Sequence, residues 1–234
     1  KDNYNLGNCR ILASGKVDKT IIDILNTTFG NEVITSNQNS EIKVPTNQEE
    51  RKSLYLEKEN ALQSAIRIGR LFPNKLHKDY YGLQILNTVL GGYFGSRLMN
   101  NIREDKGYTY GIGSGILSLK NSGYFFISTE VGSEVTKEAL SEIYKEIELL
   151  RSEEIPTDEL DLVKNYLLGQ LLKSCDGPFN MGEMFENAYE YGLGYDFYND
   201  YITTIKGITP QTLKSLAIKY FNKSDLTEVV AGKI

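Results

Sequence analysis

Arg103 and Tyr110 are the residues of this sequence whose types and spacing could do chemistry together. They lie seven positions apart, with Gly107 between them. A short helix that reverses through Gly107 into a strand would bring both side chains to one rim. The guanidinium offers a rigid fork of donors to carbonyl or carboxylate oxygens. A tyrosine hydroxyl can donate to an oxygen that gains negative charge, as in an oxyanion hole. The other reading is a surface arginine beside an aromatic ring packed on a sheet, and spacing alone leaves both open.

Other constellations fail on residue type. The only histidine is His77, in the polar segment FPNKLHKDYY. A catalytic zinc site draws on three protein ligands, often two from a helical HxxEH or its inverse. One histidine cannot supply that, and no Ser-His or Cys-His system can be built around it. His77 reads as a surface loop residue. Glu153-Glu154 and Asp158-Glu159 sit at helix junctions, where carboxylates offset the helix dipole. Gly91-Gly92-Tyr93-Phe94-Gly95 follows a helix rather than a strand, the wrong context for a phosphate cradle. Cys9 and Cys175 are too few for a disulfide framework or a metal knuckle and read as free buried thiols.

Composition narrows the class further. The chain has 234 residues, 40% of them hydrophobic, enough for one large core or two small ones. Net charge is −5, from 26 basic and 31 acidic residues, which argues against a nucleic-acid face. The longest apolar runs fall far short of the roughly 20 residues a membrane span needs. No signal peptide is visible at the start, so cytoplasm and periplasm both stay open. Sixteen tyrosines and no tryptophan point to half-exposed sheet surfaces and clefts.

The elements that must position Arg103 and Tyr110 follow from periodicity. Residues 9–14 read as a short strand, followed by a helix with Ile21, Ile22, Leu25 and Phe29 on one stripe and Gly30 as its stop. Residues 36–50 read as a surface loop. Leu54–Leu56 reads as a strand, and LQSAIRIG as another, with Leu62, Ser64, Ile66 and Ile68 on one face. Residues 79–90 form a helix that Gly91-Gly92 end in a left-handed conformation. Ser96 caps a shorter helix whose Leu98 and Ile102 face inward and which Gly107 stops. An extended run from Tyr108 to Leu119 turns at Asn121-Ser122-Gly123 and returns over 124–131. On one face of the outgoing run Thr109, Gly111, Gly113 and Gly115 leave the backbone open to close approach, and an exposed edge there could accept an extended peptide. Amphipathic helices follow over 139–150 and 157–171, one or two broken helices over 176–205, a helix after Thr209-Pro210, and a last strand over 226–231. A hairpin with segregated helices predicts an α+β fold with a mostly antiparallel sheet. With no repeat and no linker, one domain over residues 1–234 is the simplest division.

The run from Leu90 through Tyr110 resembles the non-catalytic C-terminal domain of the insulinase, or pitrilysin, family of zinc metallopeptidases. Gly95-Ser96-Arg97-Leu98, Arg103-Glu104, Lys106-Gly107 and Tyr110 fall in register with that family's pattern. LQSAIRIG and the opening CRILASGKVD are similar to two further segments, and the helical second half matches by layout. The resemblance implies the processing-peptidase-like metallohydrolase fold, shared with LuxS. It implies a domain without zinc that closes over a peptide substrate and completes the active site of an HxxEH-bearing partner. In that reading Arg103 and Tyr110 hold substrate backbone and stabilise the tetrahedral intermediate, Gly91, Gly92 and Tyr108 contact substrate, and zinc sits on the partner. HxxEH is absent here, so the chain would not hydrolyse peptides alone. The glycine-rich loop of the processing peptidase's non-catalytic subunit is reduced to residues 91–95, which gives no support to presequence recognition. The chain reads as a piece of a longer polypeptide whose upstream half holds the zinc domain. Two rivals share the fold: a non-proteolytic structural or binding subunit, like the core subunits of respiratory complexes, and a stand-alone peptide-binding module.

Overall fold

A computed structural model describes residues 9–30 and 53–233. The predicted loop over 36–50 lies outside the described residues. The chain divides into two compact units, Lys1–Pro45 with Gln170–Phe197, and Thr46–Gly169 with Tyr198–Ile234.

The second unit is built on a five-stranded sheet in the order β1-β5-β2-β4-β3. The strands are β1 (Ser53–Glu57), β2 (Gln63–Leu71), β3 (Ile112–Leu119), β4 (Ser122–Gly132) and β5 (Thr227–Gly232). Only the β1–β5 pair is parallel. The α+β class with a mostly antiparallel sheet therefore holds. Alternation along the strands sorts the two faces. On β4, Phe125, Ile127, Thr129 and Val131 are buried, while Tyr124, Phe126 and Glu130 are exposed. On β2, Ser64, Ile66 and Ile68 are buried as their period predicts; Leu62 lies before the strand and is exposed.

Helices cover the buried face. They are α2 (Tyr80–Asn87), α3 (Thr136–Ser152), α4 (Thr157–Ser174), α6 (Asp196–Gly207) and α7 (Pro210–Tyr220). Ala139, Ile143, Ile147 and Leu150 of α3 join Leu213 and Ala217 of α7 in one core with Ile66, Phe125, Ile127 and Val230 of the sheet. Thr209 caps α7, accepting from the Thr212 N–H, with Pro210 at the first turn.

The first unit contains α1 (Lys19–Phe29) and α5 (Gly177–Tyr189) among its described residues. Asp18 caps α1 by accepting from the Ile21 N–H, and Gly30 closes it, the stop that the sequence predicts. Residues 9–14 are not a strand. They carry no regular secondary structure and all six are exposed. A strand exists only by pairing, and none of the five strands takes them as a neighbour. Cys9 and Cys175 are free, but exposed rather than buried.

Candidate functional site

The stretch between α2 and β3 departs from ordinary helix geometry twice. Helix α2 widens at its end into a π-helical turn, here π1 (Thr88–Gly92). A second π-helical segment, π2 (Met99–Asp105), completes the short helix that carries Arg103. π-Helical turns are rare and concentrate at functional sites.

Gly91 and Gly92 end π1 for a reason other than the expected one. Neither has a positive φ. A Cβ on Gly91 would lie 2.6 Å from Ser114 Oγ, 2.7 Å from Ser114 N and 3.0 Å from Leu98 Cδ1. A Cβ on Gly113 would be 3.4 Å from the Gly91 carbonyl oxygen. Glycine is needed here for close approach, because π1 rests directly on the backbone of β3.

Leu98 and Ile102 are fully buried and fix the inner face of the second helix. Ser96 precedes that helix, and its carbonyl accepts from the Asn100 N–H, but its hydroxyl is buried without a partner and makes no cap. The outer rim is pinned by polar contacts that sequence reasoning misses. Arg97 forms a two-pronged pair with Glu159 of α4, both N–O distances being 2.8 Å. Burial alone would lower the Arg97 pKa; the hydrogen bonds it donates to Glu159 and the charges of Glu159, Glu146 and Glu153 outweigh it and hold the group above its usual value. Asn101 donates to Glu142 at 2.9 Å and to Glu146 at 2.6 Å, both on α3. The helix is thus fastened to two neighbours.

Arg103 lies on the free side of this helix, its side chain 32% exposed. Its Nη1 donates to Glu104, and its Cζ stands 4.8 Å from the centroid of the Phe94 ring. Gly107 then reverses the chain with φ +67°, a conformation that favours glycine. Nothing crowds its missing Cβ, so dihedral freedom is the whole reason for glycine there.

Tyr108 is half-buried against the core. The expected strand does not begin at Tyr108 but at Ile112. The cause is Thr109, whose hydroxyl donates to the Glu130 carbonyl at 2.6 Å and accepts from the Gly111 N–H at 3.1 Å. Thr129 adds a bond to the same hydroxyl at 3.0 Å. Thr109 thereby replaces the ladder with a fixed bend, and Tyr110 at its tip is 93% exposed. No hydrogen bond engages the Tyr110 hydroxyl among the described residues. Arg103 and Tyr110 therefore share one short reversal, each on a backbone anchored by buried or bridging partners. Of the two glycines of π1, Gly92 is exposed and Gly91 is buried.

Beyond the site, β3 is an edge strand paired only with β4. The hairpin turns at Lys120-Asn121, earlier than expected, because Leu119 pairs with Ser122. Gly123 falls inside β4, where a Cβ would meet the carbonyl oxygens of Phe72 and Pro73 at 2.8 and 3.1 Å. His77 is exposed, its Nδ1 accepting from the Asp79 N–H. Among the described residues no group of three His, Cys, Asp or Glu side chains could hold a metal ion. No helix of the described residues is long and apolar enough to cross a membrane.

Residues 1–167 match the model of the peptidase M16 inactive domain. An uncharacterised zinc protease of Bacillus subtilis, YmxG, is 33% identical over 100 residues, covering 43% of this chain and 24% of that protein. An uncharacterised zinc protease of Mycobacterium leprae is 22% identical over 216 residues, covering 91% of this chain and 48% of that one. The solved peptidase M16 inactive domain from Pseudomonas fluorescens superposes with a TM-score of 0.79 at 22% identity, over 94% of this chain and 52% of that one. The chain spans about half the length of these relatives or less. With a family model matching most of its length, this chain belongs to the M16, or insulinase, family of zinc metallopeptidases and is one of that family's inactive domains.

Proposed function

We propose that this chain is the non-catalytic half of a zinc metallopeptidase, closing over a peptide substrate and completing the active site of an HxxEH-bearing partner. The partner is either the remainder of a longer polypeptide or a separate subunit, and it carries the zinc. The observation that carries this reading is Tyr110, a hydroxyl without a partner held out at 93% exposure by the Thr109 bend. Burying that ring would have been worth roughly 1.5–3 kcal/mol, so its exposure on a pinned backbone asks for a use. Arg103 supplies the second donor, with only Nη1 engaged by Glu104. In the assembled site Arg103 would hold a substrate carbonyl and Tyr110 would donate to the oxyanion of the tetrahedral intermediate. Gly92 and Tyr108 would border the peptide, and Gly91 would set the height of π1 over β3.

Turnover by the enzyme assembled from this chain and its zinc-bearing half tests the proposal. Arg103→Ala should lower kcat/KM on the order of 100-fold, and Tyr110→Phe roughly 10- to 100-fold. Unchanged turnover in both would remove the catalytic role. The rival is a binding subunit without proteolysis, favoured by the sheet face on which Leu71, Leu117, Leu119, Tyr124 and Phe126 are exposed. In that case both variants should bind the partner normally and no assembly should cleave peptide.

A further inference from the structure

Phe94 is 66% exposed, a large apolar side chain left in solvent next to Arg103. Its position is not slack. Phe94 and Gly95 form the turn between π1 and π2, closed by the Ser96 N–H donating to the Tyr93 carbonyl at 3.1 Å. The Asn100 side chain donates to the Gly95 carbonyl at 3.2 Å and ties the turn to π2. The Tyr93 ring lies 2.8 Å from where a Cβ on Gly95 would stand, and it packs inward on Tyr166 with centroids 4.7 Å apart. With Tyr93 turned in and the turn pinned, Phe94 is directed outward.

The ring meets the Arg103 guanidinium at 4.8 Å. Glu104 occupies one donor, Nη1. An exposed ion pair between adjacent residues holds a long side chain weakly, so Glu104 alone would let the guanidinium swing. An aromatic face attracts the cation through its quadrupole and takes up none of the in-plane N–H groups. The two contacts together restrain the guanidinium and leave Nε and Nη2 without a protein partner among the described residues.

We infer that Phe94 is a positioning residue for Arg103: its ring holds the guanidinium flat at the site while leaving the remaining donors to a peptide carbonyl. The inference rests on the role proposed for Arg103. Two measurements test it. In NMR of this chain, the Arg103 Nε–Hε signal should be displaced by the ring current and move toward its ordinary position in Phe94→Leu. In the assembled enzyme, Phe94→Leu should lower kcat about tenfold with little change in KM, and Phe94→Trp should retain activity, since indole is the stronger cation acceptor. A signal that does not move in Phe94→Leu overturns the contact. If Arg103→Ala is impaired and Phe94→Leu is not, the inference falls and the proposed function stands. If Arg103→Ala leaves turnover unchanged, the inference falls together with the role proposed for Arg103, and Tyr110→Phe decides what remains of the proposed function.

Discussion

At the scale of single residues, the helix that carries Arg103 is held by a polar partner from far along the chain. Arg97 and Glu159 are mostly buried, with side chains 18% and 28% exposed. Removing one partner of such a pair strands the other, which costs more than the pair contributes. Glu159→Ala should therefore lower stability by about 2 kcal/mol, read as a fall in the urea midpoint at constant slope. Asp79 makes a pH-dependent contribution. Burial raises its pKa, but hydrogen bonds from Lys219 and Tyr220 outweigh this and hold the carboxyl below its usual range. The folded state then binds this proton less readily than the unfolded chain does. Its stabilisation is present above the ordinary carboxylate pKa of about 3.9 and is lost as pH falls through the depressed value. Asp79→Asn should be less stable than the parent by about 1 kcal/mol at pH 7, with the difference vanishing in strong acid. A difference that persisted there would point to packing instead of charge. Type and spacing single out Arg103 and Tyr110 as candidates. Local pattern assigns Glu159 to the helix dipole, because a partner 62 residues away leaves no local signature. Phe94 was invisible as a partner of Arg103 for the same reason.

At the scale of elements, most of the layout was legible because each piece answers to one period. The amphipathic stripes of α3 and α7, the alternation of β2 and β4, and the cap at Thr209 all stand where pattern puts them. The misses cluster where a side chain or a neighbouring backbone competes with the period. Thr109 displaces the start of β3, and close contact with Ser114 gives Gly91 a reason that conformation alone does not. The π-helical windings escaped for a different cause: Leu98 and Ile102 face inward on an α- or a π-wound helix alike, so the apolar pattern cannot tell them apart. Gly91→Ala gives a direct test of the close approach. It should cost about 1–3 kcal/mol from overpacking against Ser114 and Leu98. Gly107→Ala should cost less, about 1 kcal/mol, because only its positive φ opposes a side chain. Thermal unfolding of both variants would order the two mechanisms.

At the scale of the whole molecule, family membership and sheet order constrain more than any single contact. Composition and the missing histidines excluded a self-sufficient zinc site, and the resemblance over residues 90–110 supplied the fold. Strand order was not legible, because periodicity identifies strands without saying which of them are neighbours. That order carries a consequence for how the chain acquires its structure during synthesis. β1 bonds only to β5, and β5 also fills the gap beside β2. Among the described residues, Ser53–Glu57 must therefore wait for Thr227–Gly232 before it has a strand neighbour. A nascent chain arrested after α7 exposes the flank of β2 and an unpaired apolar segment, Leu54-Tyr55-Leu56, at the same time. Long-range pairing of this kind is slow and leaves strand edges open to wrong partners. β5 thus acts as the key piece of the sheet, and any holdase that escorts the emerging domain has two defined edges to shield until that strand arrives.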